Sequence, residues 1–118
     1  MRDTTHTPLL GIDFGTSNTS AALVDARGQL HTLALDEGHT SMPTALFFSS
    51  EDSTVAYGRA AMRAYLEGTE GRLLRSIKSL LGSSLIDEQT LLQGRMTSLF
   101  EVVVMFFAEL KRRCEQQL

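Results

Sequence analysis

The 118-residue sequence has no tryptophan, one cysteine and two prolines. A single thiol, Cys114, excludes an internal disulfide, so nothing demands an oxidising compartment. Cys114 itself reads as a helix residue without chemical duty. No excess of basic charge exists: the net charge is −3. That slight acidity argues against a nucleic-acid partner, and basic residues such as Arg72, Arg75 and Lys78 are spread at helical spacing rather than massed. The longest apolar run, Val102 to Ala108, falls far short of the roughly 20 residues of a membrane span. Met1 to Pro8 form a polar tail without the apolar stretch of a secretory signal. The three histidines, His6, His31 and His39, have no metal-site spacing. No repeat or low-complexity tract occurs. A cytoplasmic protein with no membrane partner is the expectation. With 42% hydrophobic residues the chain can bury one core.

The order of elements is strands, a mixed insertion, then a long helix. Residues 9–14 read as a strand and Gly15-Thr16-Ser17-Asn18 as a turn. A second strand covers 19–25, and Ala26-Arg27-Gly28 turns into a third over 29–35. Links this short force an antiparallel meander. After a polar loop over 36–42, Pro43 precedes a strand at 44–48, and 55–57 forms another that ends at Gly58. Residues 59–67 predict a helix, broken by Gly68 and Gly71. Residues 72–81 predict a second helical stretch. Residues 83–94 predict a loop, with a helical turn or two after Asp87. Ser98 with Glu101 fits a capping box. It opens a helix that is apolar at nearly every position from Leu99 to Leu110. Lys111, Arg112 and Arg113 follow, where they suit the helix dipole. Met62, Met96 and Met105 read as packing residues.

The chemistry concentrates in Gly11-Ile12-Asp13-Phe14-Gly15-Thr16-Ser17-Asn18-Thr19. A turn that binds phosphate must bring backbone N–H groups close to the anion. Gly15 lacks the Cβ that would block approach. Successive amides form an anion-binding nest, and Thr16 and Ser17 add hydroxyl donors. Asp13 interrupts an apolar strand just before the turn. A carboxylate there cannot bind phosphate, but it can hold Mg²⁺ through water. Gly-Thr-Ser-Asn is equally ordinary hairpin-turn chemistry, and the residues alone leave both readings open.

The stretch Leu10 to Val24 resembles the first phosphate motif of the actin-like ATPase superfamily, shared by sugar kinases, actins, bacterial actins and DnaK-type chaperones. Further segments resemble one family in order along the chain. These are Glu37 to Thr44, Tyr57-Gly58-Arg59-Ala60-Ala61, and Ser76-Ile77-Lys78-Ser79-Leu80-Leu81-Gly82. On these the chain is similar to the seventy-kilodalton heat-shock protein (DnaK) family. It departs at Met42-Pro43-Thr44, where Thr-Pro-Ser is usual, and at Ser79, where arginine often follows the lysine.

The resemblance implies an α/β fold, a fragment of an actin-like (ribonuclease H-like) ATPase lobe. Its parts would be a phosphate-binding meander over 9–36, an insertion subdomain over 37–97 and a re-entering helix over 98–118. It implies ATP and Mg²⁺ as cofactors, with Gly15, Thr16, Ser17 and Asn18 holding phosphate, Asp13 the metal, and Lys78 reaching the γ-phosphate and attacking water. The parent would couple ATP hydrolysis to conformational change and protein folding, with client proteins and co-chaperones as partners. No Asp-x-Gly-Gly-Gly-Thr second phosphate loop is present, so a fragment inactive on its own is expected. Another actin-like superfamily member, a sugar kinase or bacterial actin, is the first alternative. A degenerate adaptor lobe is the second.

The final helix carries a further expectation. Val103, Phe106, Phe107 and Leu110 form one apolar stripe, while Leu99, Val102 and Met105 lie off it. A short chain would leave one side uncovered, which would favour a homodimer through this helix.

Overall fold

The computed structural model describes residues 9–118; the expected polar tail over 1–8 lies outside the described residues. Two strands, β1 (Leu9–Phe14) and β2 (Asn18–Val24), form the expected antiparallel hairpin, with Phe14 opposite Thr19. A short β3 (Leu30–Thr32) completes the meander along the other edge of β2. It is briefer than the expected strand: after Thr32 one more backbone bond, from the Leu33 N–H to the Ala21 carbonyl at 2.9 Å, follows β2, and Leu33 and Leu35 are buried in the core. Farther along that edge, β4 (Met42–Pro43) pairs with Asn18 and Thr19. The meander and the insertion are therefore joined at the turn end of the first hairpin.

The insertion is built on β5 (Ala45–Ser49), which is buried along its whole length. Its side chains alternate faces, as a strand requires. Leu46 and Phe48 enter the main core, whereas Ala45 and Phe47 form a second cluster with Ala61 of helix α1 (Arg59–Leu66). Strand β6 (Val55–Tyr57) pairs with one edge of β5, and β7 (Gly71–Arg75) with the other.

Strand β7 overturns the expected helix over 72–81. Only a 3₁₀ turn over Ile77–Leu80 is helical there. The adjacent leucines show why: Leu73 packs in the second cluster and Leu74 against the main core, on opposite faces of the sheet. That placement has period two, and the free edge of β5 supplies the ladder that a solvated helix would forgo. The loop expected over 83–94 is also replaced. A 3₁₀ turn occupies Ser84–Asp87, ahead of the expected position, and β8 (Gln89–Leu92) forms a hairpin with β9 (Arg95–Ser98).

Helix α2 (Leu99–Glu115) closes the fold. The Ser98 hydroxyl accepts from the Glu101 N–H at 3.1 Å, which caps the helix. The reciprocal half of the expected capping box is absent, because the Glu101 carboxylate instead pairs with Arg95 at 2.9 Å. Val102, Val103, Phe106, Leu110 and Cys114 are buried. Each such side chain contributes about 1.5–3 kcal/mol when removed from water. Leu99, Met105 and Phe107 pack at the core margin. The expected stripe is thus shifted: Val102 is inside, and the uncovered line is Phe100, Val104 and Ala108. Among the described residues no helix is long and apolar enough to cross a membrane.

One polar junction ties these elements together. Asp36 is 2% exposed and lies just beyond the meander. It accepts from the Arg59 backbone N–H at 2.9 Å at the start of α1, and from the Arg59 guanidinium at 3.3 Å. From α2, Arg113 donates to it at 2.9 Å, and also to the Leu35 carbonyl at 3.1 Å. Glu109 braces Arg113 at 2.7 Å. Hydrogen bonds from Arg112, and then from Arg113, hold the Glu109 carboxyl below its usual range against the opposing effect of burial. Removing one partner of a buried ion pair strands the other, at about 3–5 kcal/mol. Asp36→Ala is therefore expected to lower stability by about that amount. Arg63→Ala, which breaks only the exposed pair with Glu37, should change it far less. Urea unfolding of the two variants measures this, and equal losses would contradict the assignment.

Candidate functional site: the turn between the first two strands

The hairpin turn is held from both ends. Within it, the Gly15 N–H donates to the Asn18 carbonyl at 3.0 Å. A Cβ on Gly15 would collide with that same carbonyl oxygen, so the tightness of the turn itself requires glycine. The sequence reading assigned Gly15 to ligand approach; its steric conflict within the protein is with Asn18.

From outside, Thr44 clamps the turn. Its N–H donates to the Ser17 carbonyl at 3.0 Å, and its hydroxyl donates to the Gly15 carbonyl at 3.0 Å. The buried Thr19 and Thr44 hydroxyls lie 2.8 Å apart. Thr44 has one hydroxyl proton and gives it to Gly15, so Thr19 is the donor between them. The amides of Thr16 and Ser17 donate no backbone hydrogen bond among the described residues, and both residues are exposed. Two free N–H groups on a clamped turn are suited to an anion.

The expected site residues fall in three places. Thr16 and Ser17 line a cleft of about 390 Å³ with Pro43, Thr44, Arg75 and Ser76. Asp13 is exposed and lies in a different depression, on the open face of the meander with Gly11, Ser20 and Thr32. Its neighbour Phe14 points the opposite way, 4.7 Å from the Phe107 ring and 5.9 Å from Phe106. Asp13 therefore faces away from α2. Lys78 is exposed in the 3₁₀ turn, two residues beyond Ser76, and lines neither depression. Asn18 is exposed at the start of β2 and pairs with Pro43.

Sequence reasoning passed over Thr44, Arg75 and Ser76. Thr44 carried no local signal, because its partner Gly15 lies 29 positions away in the sequence. Arg75 was hidden by the mistaken helix.

The described residues hold no group of three His, Cys, Asp or Glu able to cage a metal. One exposed carboxylate at a strand end does fit an ion that keeps its waters and is carried largely by phosphates.

The clamp has a measurable weight. Thr44→Val keeps the shape but leaves the Thr19 hydroxyl and the Gly15 carbonyl without their partner. A loss of about 1–3 kcal/mol is expected, together with faster amide exchange at Asn18 and Thr19. Unchanged stability and exchange would show that the clamp does not hold the turn.

No protein-family model matches the chain. It is similar to the chaperone protein HscA homolog of Shewanella denitrificans, with 33% identity over 88 residues. The match covers 75% of this chain and 14% of the length of that protein. This similarity supports a place for the chain among the seventy-kilodalton heat-shock chaperones, at the level of the family.

Proposed function

We propose that this chain is the N-terminal, ATP-binding part of the actin-like ATPase domain of a DnaK-type chaperone. The observation that carries the reading is the clamped turn, whose Thr16 and Ser17 line a cleft while their N–H groups take no backbone partner among the described residues. The family-level similarity to a chaperone supports it.

In this reading the turn receives a phosphate group of ATP through those amides and the two hydroxyls. Asp13 would hold Mg²⁺ through water, and the ion would supply charge neutralisation on the phosphates. Lys78 donates toward the γ-phosphate and the attacking water, as a flexible ammonium group suits charge developing in phosphoryl transfer. Lys78 is exposed and lines neither depression, so in this reading its long side chain reaches the phosphate from outside the cleft. A rigid clamped turn and a movable cation are compatible, since positioning and charge stabilisation carry this chemistry. The complete protein would couple hydrolysis in the cytoplasm to a conformational change that acts on client proteins with co-chaperones.

The 118 residues alone are expected to show no ATP turnover, because phosphoryl transfer needs groups from both sides of a closed cleft. In the full-length protein that carries this segment, Asp13→Asn and Lys78→Ala should each slow hydrolysis by about 10²-fold or more. Steady-state phosphate release measures both. Wild-type rates in both variants would remove the assignment.

A further inference from the structure

We infer that Arg75 is a second anion-binding residue of the cleft beside the turn, gripping the phosphate chain from the wall that faces Thr16 and Ser17. The inference rests on the nucleotide reading above and deepens it by adding a residue.

Four observations carry it. The first is the lining: Thr16, Ser17, Arg75 and Ser76 supply the donors beside the apolar Pro43, Ala45 and Met62, and no acidic residue contributes. An anion entering there meets donors and no repelling charge.

The second is the state of the guanidinium. Arg59, Arg63, Arg95, Arg112 and Arg113 each pair with an acid. Arg72 bonds to Thr90 and to the Leu91 carbonyl. Arg75 is exposed and has no ion pair with a described residue. Its charge is available, and a guanidinium can take phosphate oxygens two at a time.

The third is a fixed distance relationship. The Thr44 N–H bonds to the Ser17 carbonyl, and the next residue, Ala45, pairs directly with Arg75 across β5 and β7. Two consecutive residues of one buried segment thus hold the turn on one side and the arginine backbone on the other. The cleft width is set by the sheet and does not depend on a loose loop.

The fourth is strain. Ser76, also in the lining, has φ 57 and ψ 33, in the left-handed region. A non-glycine residue there costs about 1–2 kcal/mol, and such outliers gather at binding sites. This conformation ends β7 at Arg75 and diverts the chain into the turn that carries Lys78. It separates the two cations: Arg75 lines the cleft and Lys78 does not.

The experiment is an amide and arginine Nε NMR titration of the 118-residue chain with inorganic tripolyphosphate, ATP and adenosine. Arg75→Gln and Arg27→Gln are compared with the wild type. Arg27 lies in the β2–β3 turn, so its variant removes the same charge without touching the cleft. Tripolyphosphate and ATP should shift the amides of Thr16 and Ser17 and the Arg75 Nε, while adenosine should not. Arg75→Gln should weaken tripolyphosphate binding about ten-fold, as expected for a lost hydrogen bond to a charged group, and Arg27→Gln should leave it within about two-fold. If tripolyphosphate shifts Thr16 and Ser17 with unchanged affinity in Arg75→Gln, the inference falls and the nucleotide reading stands. Equal weakening by the two variants would reveal general charge attraction and also overturn it. If no anion shifts Thr16 and Ser17 in the wild type, both readings fall.

Discussion

A buried carboxylate holds the parts of this fold in register. Asp36 follows the meander, and its two oxygens are taken by groups from the start of α1 and the end of α2. An isolated buried charge would be strongly unfavourable, so the partners are obligatory. The packing is tight enough that Gly58, which precedes α1, has no room for a side chain. A Cβ there would come within 2.6 Å of the Asp36 carboxylate and 2.9 Å of Met42. Its φ of +66° is one that glycine adopts without cost. The Gly58 N–H donates at 3.0 Å to the Ala45 carbonyl, so the same junction also fixes β5.

From that junction the order passes to the hairpin turn. Strand β5 begins beside Thr44, and Thr44 binds the turn by its backbone and by its hydroxyl. The turn is therefore positioned by the buried insertion, and its own flexibility contributes little. Binding sites gain from such preorganisation, since donors already in place lose less entropy when a ligand arrives. The clamp uses carbonyls of the turn, and among the described residues the N–H groups of Thr16 and Ser17 take no backbone partner.

Local chemistry made part of this legible in the sequence. The first hairpin follows from the turn cluster Gly15 to Asn18 between two apolar runs, and α1 from its Ala, Met and Leu content. The α2 cap follows from Ser98. Where a long-range partner decides the outcome, local reasoning fails. Arg72 to Leu81 has a helical composition, yet the free edge of β5 makes Arg72 to Arg75 a strand. The hairpin of β8 and β9 turns on Gln93 and Gly94, with φ of 52° and 78°. That is the pattern of an Asn-Gly turn with a less usual first residue, and so a signal that could have been read. Asp36 could not have been found this way, because Arg113 lies 77 positions away. The candidate site divides likewise: the turn is local and legible as a turn, Asp13 lies in a separate depression, and Thr44 reaches the turn only because it leads into β5.

The most direct test of this account is a crystal structure of the protein grown with Mg²⁺ and a non-hydrolysable ATP analogue. The account predicts phosphate oxygens within hydrogen-bonding reach, about 2.7–3.2 Å, of the Thr16 and Ser17 nitrogens, with the metal's water shell against Asp13. Nucleotide bound elsewhere, with both nitrogens still facing solvent, would contradict it.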